Sequence, residues 1–140
     1  MARAPSIAKL SKVFVNMLNK SQKFGRASEA LAADILRRSG YRILARNYRT
    51  KMGEIDIIAR DGETIVFVEV KARRDRGHYG HPKYAVTRAK QQKISKTALY
   101  YLKGTGQMGC SARFDVVTLT PCGDDVRCEI VRNAFELAYG

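Results

Sequence analysis

The chain has 140 residues and a formal net charge of +13, and it holds 26 cationic against 13 acidic side chains. That length suits one domain with a substantial core, and no apolar run nears the ~20 residues that a bilayer demands, which excludes a membrane-spanning helix. The charge balance favours a polyphosphate partner, nucleic acid before an anionic membrane, because neutralised phosphates release condensed counterions. A merely soluble basic surface is the plainer alternative.

The cationic excess is uneven. Residues 71–103 carry a net +9, whereas 104–140 carry −2. Cys110, Cys122 and Cys128 are odd in number and lack C-x-x-C spacing, as expected of reduced thiols and not of a zinc site or disulfide framework. Lys9 and Lys12 interrupt the N-terminal apolar stretch, so no secretory signal is expected and the chain is read as cytoplasmic.

Residues 1–24 read as a basic amphipathic extension preceding a domain over 25–140. Within it, residues 5–20 project as a helix with Ile7, Leu10, Val13, Phe14, Met17 and Leu18 on one side. Such a helix would dock on the domain or serve as a membrane-surface or partner-binding arm. A second helix is predicted from Arg26 to Ser39, ending at Gly40, a residue suited to a left-handed cap. Its apolar side holds Leu31, Ala32, Ala33, Ile35 and Leu36, and Glu29 falls inside that arc. Glu29 is either a half-exposed N-terminal acid favoured by the helix dipole or a carboxylate aimed at a site.

Residues 41–48 alternate as a strand. The next stretch, GEIDIIARDGETIVFVEVKAR (53–73), reads as two strands joined by a tight turn at Asp61-Gly62. A two-residue turn there sets Asp56 opposite Phe67 and diagonal to Glu69, with Glu54, Asp56, Glu69 and Lys71 on one face. Three carboxylates and an amine on an apolar hairpin are costly unless paired. A divalent cation meets that need, since carboxylate oxygens suit Mg²⁺, which completes its shell with water and substrate phosphate.

RRDRGHYGHPKYAV (73–86) reads as a cationic loop. Its His78 and His81 are left out of the catalytic set. A long helix is predicted over Thr87–Lys103, with Ile94, Ala98, Tyr101 and Leu102 apolar. Lys90 and Gln91 sit at the N-terminal end of that side, where they would reach a site or, for Lys90, snorkel to solvent. ARFDVVTLT (112–120) reads as a strand, PCGDD as a turn and VRCEIVRN (126–133) as an edge strand.

These residues supply what phosphodiester hydrolysis needs. Asp56 and Glu69 would hold Mg²⁺ or Mn²⁺, with the Val70 carbonyl as a further ligand and Glu29 in contact directly or through water. Lys71 would orient or deprotonate the attacking water, and Lys90 would neutralise a phosphate. Arg73, Arg74, Arg76, Lys83, Arg88 and Gln91 would contact the nucleic-acid backbone, positioning the substrate without reading sequence. No G-x-x-x-x-G-K-[ST] loop, G-x-G-x-x-G turn or G-x-S-x-G elbow occurs, so nucleotide-cofactor binding and α/β-hydrolase chemistry have no support.

Helix, three strands, helix, strand, with D-x(12)-E-x-K on strands two and three, resembles the PD-(D/E)XK restriction-endonuclease-like nuclease core. The hairpin motif, together with the S-E-A-L-A helix, N-Y-R, RFDVV and the terminal NAF, resembles the YraN family over about residues 25–135. The resemblance implies an α/β αβββαβ domain with a mixed central sheet flanked by helices, similar to Holliday-junction resolvases. It maps the motif residues onto Glu29, Asp56, Glu69 and Lys71. Ile55 stands where the superfamily's proline precedes the aspartate, but it is the carboxylate that binds metal. The expected activity is divalent-metal-dependent endonucleolytic hydrolysis of DNA, branched or damaged, in repair or recombination. The competing expectations are a nuclease-fold protein that binds nucleic acid without cutting and a basic component of a ribonucleoprotein. A homodimer would suit a junction substrate, although nothing in the sequence marks its interface.

Overall fold

The computed structural model describes residues 7–9, 24–72, 86–123 and 125–136. Along the chain these form β1 (Ile7–Lys9), α1 (Phe24–Arg38), β2 (Arg42–Thr50), β3 (Gly53–Asp61), β4 (Thr64–Ala72), α2 (Arg88–Gly104), β5 (Ala112–Cys122) and β6 (Asp125–Phe135). The sheet order is β1-β6-β5-β4-β3-β2. Every neighbouring pair is antiparallel except β4–β5. Parallel neighbours need a crossover, and α2 lies on the connection between them. The expected mixed αβββαβ core is therefore present.

The two helices cover opposite faces of the sheet. Leu31, Ile35 and Leu36 of α1 pack with Ile57, Val66, Val68, Val117 and Leu119. Ile94, Ala98 and Leu102 of α2 pack with Ile55, Ile58, Ile65, Phe67 and Val116. Central β5 is buried continuously from Phe114 to Leu119, as a strand covered on both faces must be. The end of α1 follows its sequence signal. Gly40 takes φ +94, its N–H donates to Arg37 O, and Tyr41 N–H reaches back to Leu36 O, which together satisfy two orphan carbonyls.

Three expectations change. Residues 7–9 are not helical; they form a short strand on β6, and the rest of the predicted 5–20 helix lies outside the described residues. The strand at 126–133 runs over Asp125–Phe135 and is flanked by β1, so it is no edge. The β3–β4 turn is Gly62-Glu63, with Asp61 paired to Thr64. Gly62, at φ +61, takes the first central position that a glycine suits.

Candidate metal and phosphate site

Moving the turn by one residue moves the hairpin register by two. Ile57 pairs with Val68 and Ile58 with Phe67, so one step further along this register sets Asp56 opposite Glu69 and not opposite Phe67. The backbone ladder ends there, because Val70 N–H donates to Asp56 Oδ2 at 2.8 Å in place of a β3 carbonyl.

A kink in both neighbouring strands accompanies that exchange. Ile55 and Ile58 both pack under α2, as do Ala45 and Tyr48 of β2. Residues three apart would face opposite ways in a regular strand. Between the β2 pair lies Asn47, at φ +55, a left-handed value that asparagine tolerates better than most residues. Such irregularities re-aim side chains beside functional sites.

The result is a pocket of about 220 Å³ lined by Ser28 and Glu29 of α1, Asp56, Glu69–Ala72 and Lys90. Glu69 is 4 % exposed. Lys90 Nζ lies 3.0 Å from Glu69 Oε2, yet not in hydrogen-bond geometry, and that buried oxygen has no hydrogen-bond partner. Burial, then the adjacent Asp56 carboxylate, pushes the Glu69 carboxyl up to about 8 against the pull of Lys90. Lys90 is itself raised: burial acts downward, but the facing Glu69 and Asp56 carboxylates outweigh it. Glu29 is raised by burial and then by Asp56, with Arg46 and the nearby Asn47 amide acting the other way.

Of the predicted residues, Glu29, Asp56, Glu69, Val70, Lys71 and Lys90 meet in this pocket. Glu54 does not; it is exposed and pairs with Arg49 at 3.1 Å. Gln91 is also turned away, its amide donating to Val86 O at 3.0 Å. Arg88 is exposed at the start of α2, while Arg73, Arg74, Arg76 and Lys83 lie outside the described residues, as do His78 and His81. Two contributors were missed. Ser28 is buried against the pocket with an unpartnered Oγ, a position one residue from Glu29 that carried no separate signal. Asn47 lies close enough to Glu29 for its amide to favour the charged carboxylate, and its sequence signal was a residue tolerant of left-handed backbone inside a strand.

The donor set fits a hard cation. Mg²⁺ is commonly held by one or two carboxylates, with water and phosphate completing the shell. Asp56 and the orphaned Glu69 oxygen supply such a pair. Among the described residues no three acidic, histidine or cysteine side chains converge as a metal cage.

A second acid on this sheet has the opposite character. Asp115 of β5 is fully buried. It accepts from Tyr41 OH at 2.8 Å, Arg113 Nε at 3.0 Å and Asn133 N–H at 2.9 Å. Arg113 also reaches Asp61 at 2.7 Å. Burial and Asp115 push the Tyr41 phenol up to about 12.

An αβββαβ sheet with paired carboxylates and lysines gathered where β3 and β4 part defines a restriction-endonuclease-like domain. More narrowly, residues 28–119 match the family described as Uncharacterised protein family UPF0102, and the chain belongs to it. A UPF0102 protein of Desulfosudis oleivorans is 53% identical over 120 residues, covering 86% of this chain and 95% of the relative. One from Geobacter metallireducens is 52% identical over 125 residues, covering 89% and 100%. Among solved structures, SfsA of Pyrococcus furiosus in complex with Ca²⁺ aligns at TM-score 0.35 and 14% identity, over 80% of this chain and 62% of that one. That likeness is too distant to bear on function. No helix among the described residues is long and apolar enough to cross a membrane.

Proposed function

We propose that this protein is a divalent-metal-dependent endonuclease that hydrolyses phosphodiester bonds in DNA, with branched or damaged DNA as its substrate class. The observation that carries this reading is the Glu69 carboxylate, buried beside Asp56 with an oxygen that no hydrogen bond satisfies. An acid in that position costs stability unless it has a task.

Asp56 and Glu69, with the Val70 carbonyl, would hold Mg²⁺ or Mn²⁺. The cation supplies polarisation of the phosphoryl oxygen and acidification of water. Asp56 is fixed for its part by the Val70 N–H. Lys71, from the same strand as Glu69, orients the water or takes its proton. Lys90, now beside Glu69, is placed to exchange that carboxylate for a substrate phosphate. Glu29, which lines the same pocket, holds solvent next to the pair. The basic segment 71–103 supplies phosphate contacts that do not depend on sequence.

The direct test is purified protein, with and without Mn²⁺, against branched, single-stranded and duplex oligonucleotides. Metal-dependent cutting that Asp56→Asn abolishes is expected; no cutting of any substrate would overturn the reading. One feature favours a second reading, a protein that binds nucleic acid without cutting: the net +9 over residues 71–103 suffices for binding by itself. Calorimetry with Mn²⁺ on the native chain and on Asp56→Ala separates the two, since a pure binder would show no metal binding or identical binding by both.

A further inference from the structure

A second concavity, of about 560 Å³, opens between the β2–β3 turn and α2, and it shares no lining residue with the acidic pocket. Tyr48, Arg49, Thr50, Lys51, Met52 and Tyr100 line it. Tyr100 is 55% exposed and Met52 38%. Tyr48 stands edge-on to Tyr101, ring centres 5.3 Å apart, which fixes its ring in the wall.

Charge surrounds these rings. Lys93, Lys96, Tyr100 and Lys103 follow one another at helical spacing, so three exposed lysines share a stripe of α2 with the open tyrosine. No acidic residue occurs anywhere in α2 or β2. Glu54, the acid nearest the groove in sequence, is paired with Arg49. An aromatic face set among cations and left open to water suits a stacked base between two phosphates, and it suits a neutral or basic peptide poorly. Gly53, beside the turn, is three residues from Asp56, or about 10 Å of strand at ~3.3 Å per residue. The groove thus lies within a few nucleotides of the acidic pair.

We propose that this groove is a single-strand subsite, in which Tyr100, backed by Tyr48, stacks an unpaired base while Lys51 and Lys96 take the flanking phosphates. The proposal rests on the nucleic-acid reading above and narrows the substrate to DNA with unpaired nucleotides beside the cut. Double-stranded ends, whose bases are already stacked, offer the groove nothing but backbone.

The test is binding by the full chain in EDTA at fixed salt, read by anisotropy of a labelled thymidine dodecamer and of a blunt duplex of equal length. Tyr100→Ala should weaken dodecamer binding by roughly 5- to 150-fold, the range for losing one base–aromatic stack, and change duplex binding by less than about twofold. Tyr100→Phe should keep native affinity for both. The chain has 7 tyrosines and no tryptophan, so quenching of tyrosine emission by the dodecamer, reduced in Tyr100→Ala, reports the stack itself. Equal loss on both ligands, or no loss on either, would overturn the subsite. So would displacement of the dodecamer by polyglutamate that binds with the same dependence on Tyr100, which would make the groove an acidic-peptide site. Hydrolysis is not measured in this assay. A chain that cuts nothing with Mn²⁺ yet keeps the Tyr100 effect loses the nuclease reading alone, and one that cuts but lacks the effect loses only the subsite.

Discussion

Replacing Glu69 with glutamine should stabilise the metal-free protein at alkaline pH, although it removes the group on which the proposed chemistry depends. With the folded carboxyl at about 8 and its ordinary value at 4.5, the folded state keeps a proton that the unfolded chain gives up. A raised acid contributes no penalty below pH 4.5, and stability then falls as pH climbs towards 8. The slope approaches ~1.4 kcal/mol per pH unit, and the loss accumulates to the order of 4 kcal/mol. That is a large part of the ~5–15 kcal/mol that holds a domain together. Glutamine keeps the shape, carries no charge at any pH and can donate to Asp56. Urea unfolding in EDTA at pH 5, 6.5 and 8 should therefore show the native midpoint falling and the Glu69→Gln midpoint holding more nearly level. Mn²⁺ at pH 8 should restore the native protein, by ~2.7 kcal/mol at one hundred times its dissociation constant, and leave the variant unmoved. Parallel native and variant profiles, or equal rescue by metal, would refute the account of Glu69 as a buried acid that Lys90 compensates only in part.

Lys71→Ala should remove cleavage while costing metal affinity less than Asp56→Ala does, as calorimetry and turnover on one DNA substrate would show; retained turnover would exclude Lys71 from water activation. Asp115→Ala should destabilise by ~3–5 kcal/mol, the usual result of breaking a buried ion pair, seen as a lowered unfolding midpoint with Mn²⁺ binding at 25 °C preserved. Asn47→Gly keeps a left-handed backbone and removes only the amide that favours the charged form of Glu29, so it should lower turnover with little loss of stability. Asn47→Ala should add a backbone cost of about 1–2 kcal/mol, visible as a lower melting temperature than that of the glycine variant.

The acidic pair was legible because the error in placing its turn was harmless to it. A two-residue turn set one position too early shifts the partner strand by two, and a shift of two leaves every side chain on its original face. Asp56 and Glu69 therefore shared a face under either register and differed only in being diagonal or directly opposite. Glu29 was legible through the helical arc that placed it among Leu36 and Ala33, and Gly40 through the cap it forms. What periodicity could not supply was any break in period. The paired kink at Asn47 and Asp56 moves Ile55 to the α2 side, and Glu54 pairs with Arg49 outside the pocket. Gln91 was misread for a different reason. Its place on the helix was right, but its amide found a nearer acceptor in Val86 O, and helical projection does not weigh local acceptors. Residues 7–9, Ile-Ala-Lys, set two apolar positions before a lysine, too short a pattern to tell a strand from a helix turn, and pairing with β6 decides between them.

The two most buried acids of this sheet separate structural from functional burial without appeal to motif. Asp115 and Glu69 lie on adjacent parallel strands, and both are removed from water. Asp115 is met by a phenol, a guanidinium and a backbone N–H, and the guanidinium is in turn anchored to Asp61. Nothing remains for a ligand to supply, and a cation brought there would have to displace an existing one. Glu69 faces another carboxylate, keeps an oxygen without a hydrogen bond, and borders a pocket rather than a packed side chain. The cation it meets among the described residues, Lys90, is 40% exposed on a long stem and can leave at small cost in packing. Under the proposed chemistry such an arrangement would let the Lys90 ammonium hold the place of a metal until a phosphate drew it away. Satisfaction of the carboxylate, more than its depth, is what distinguishes the candidate site at the β3–β4 end of the sheet from the structural Asp115 network.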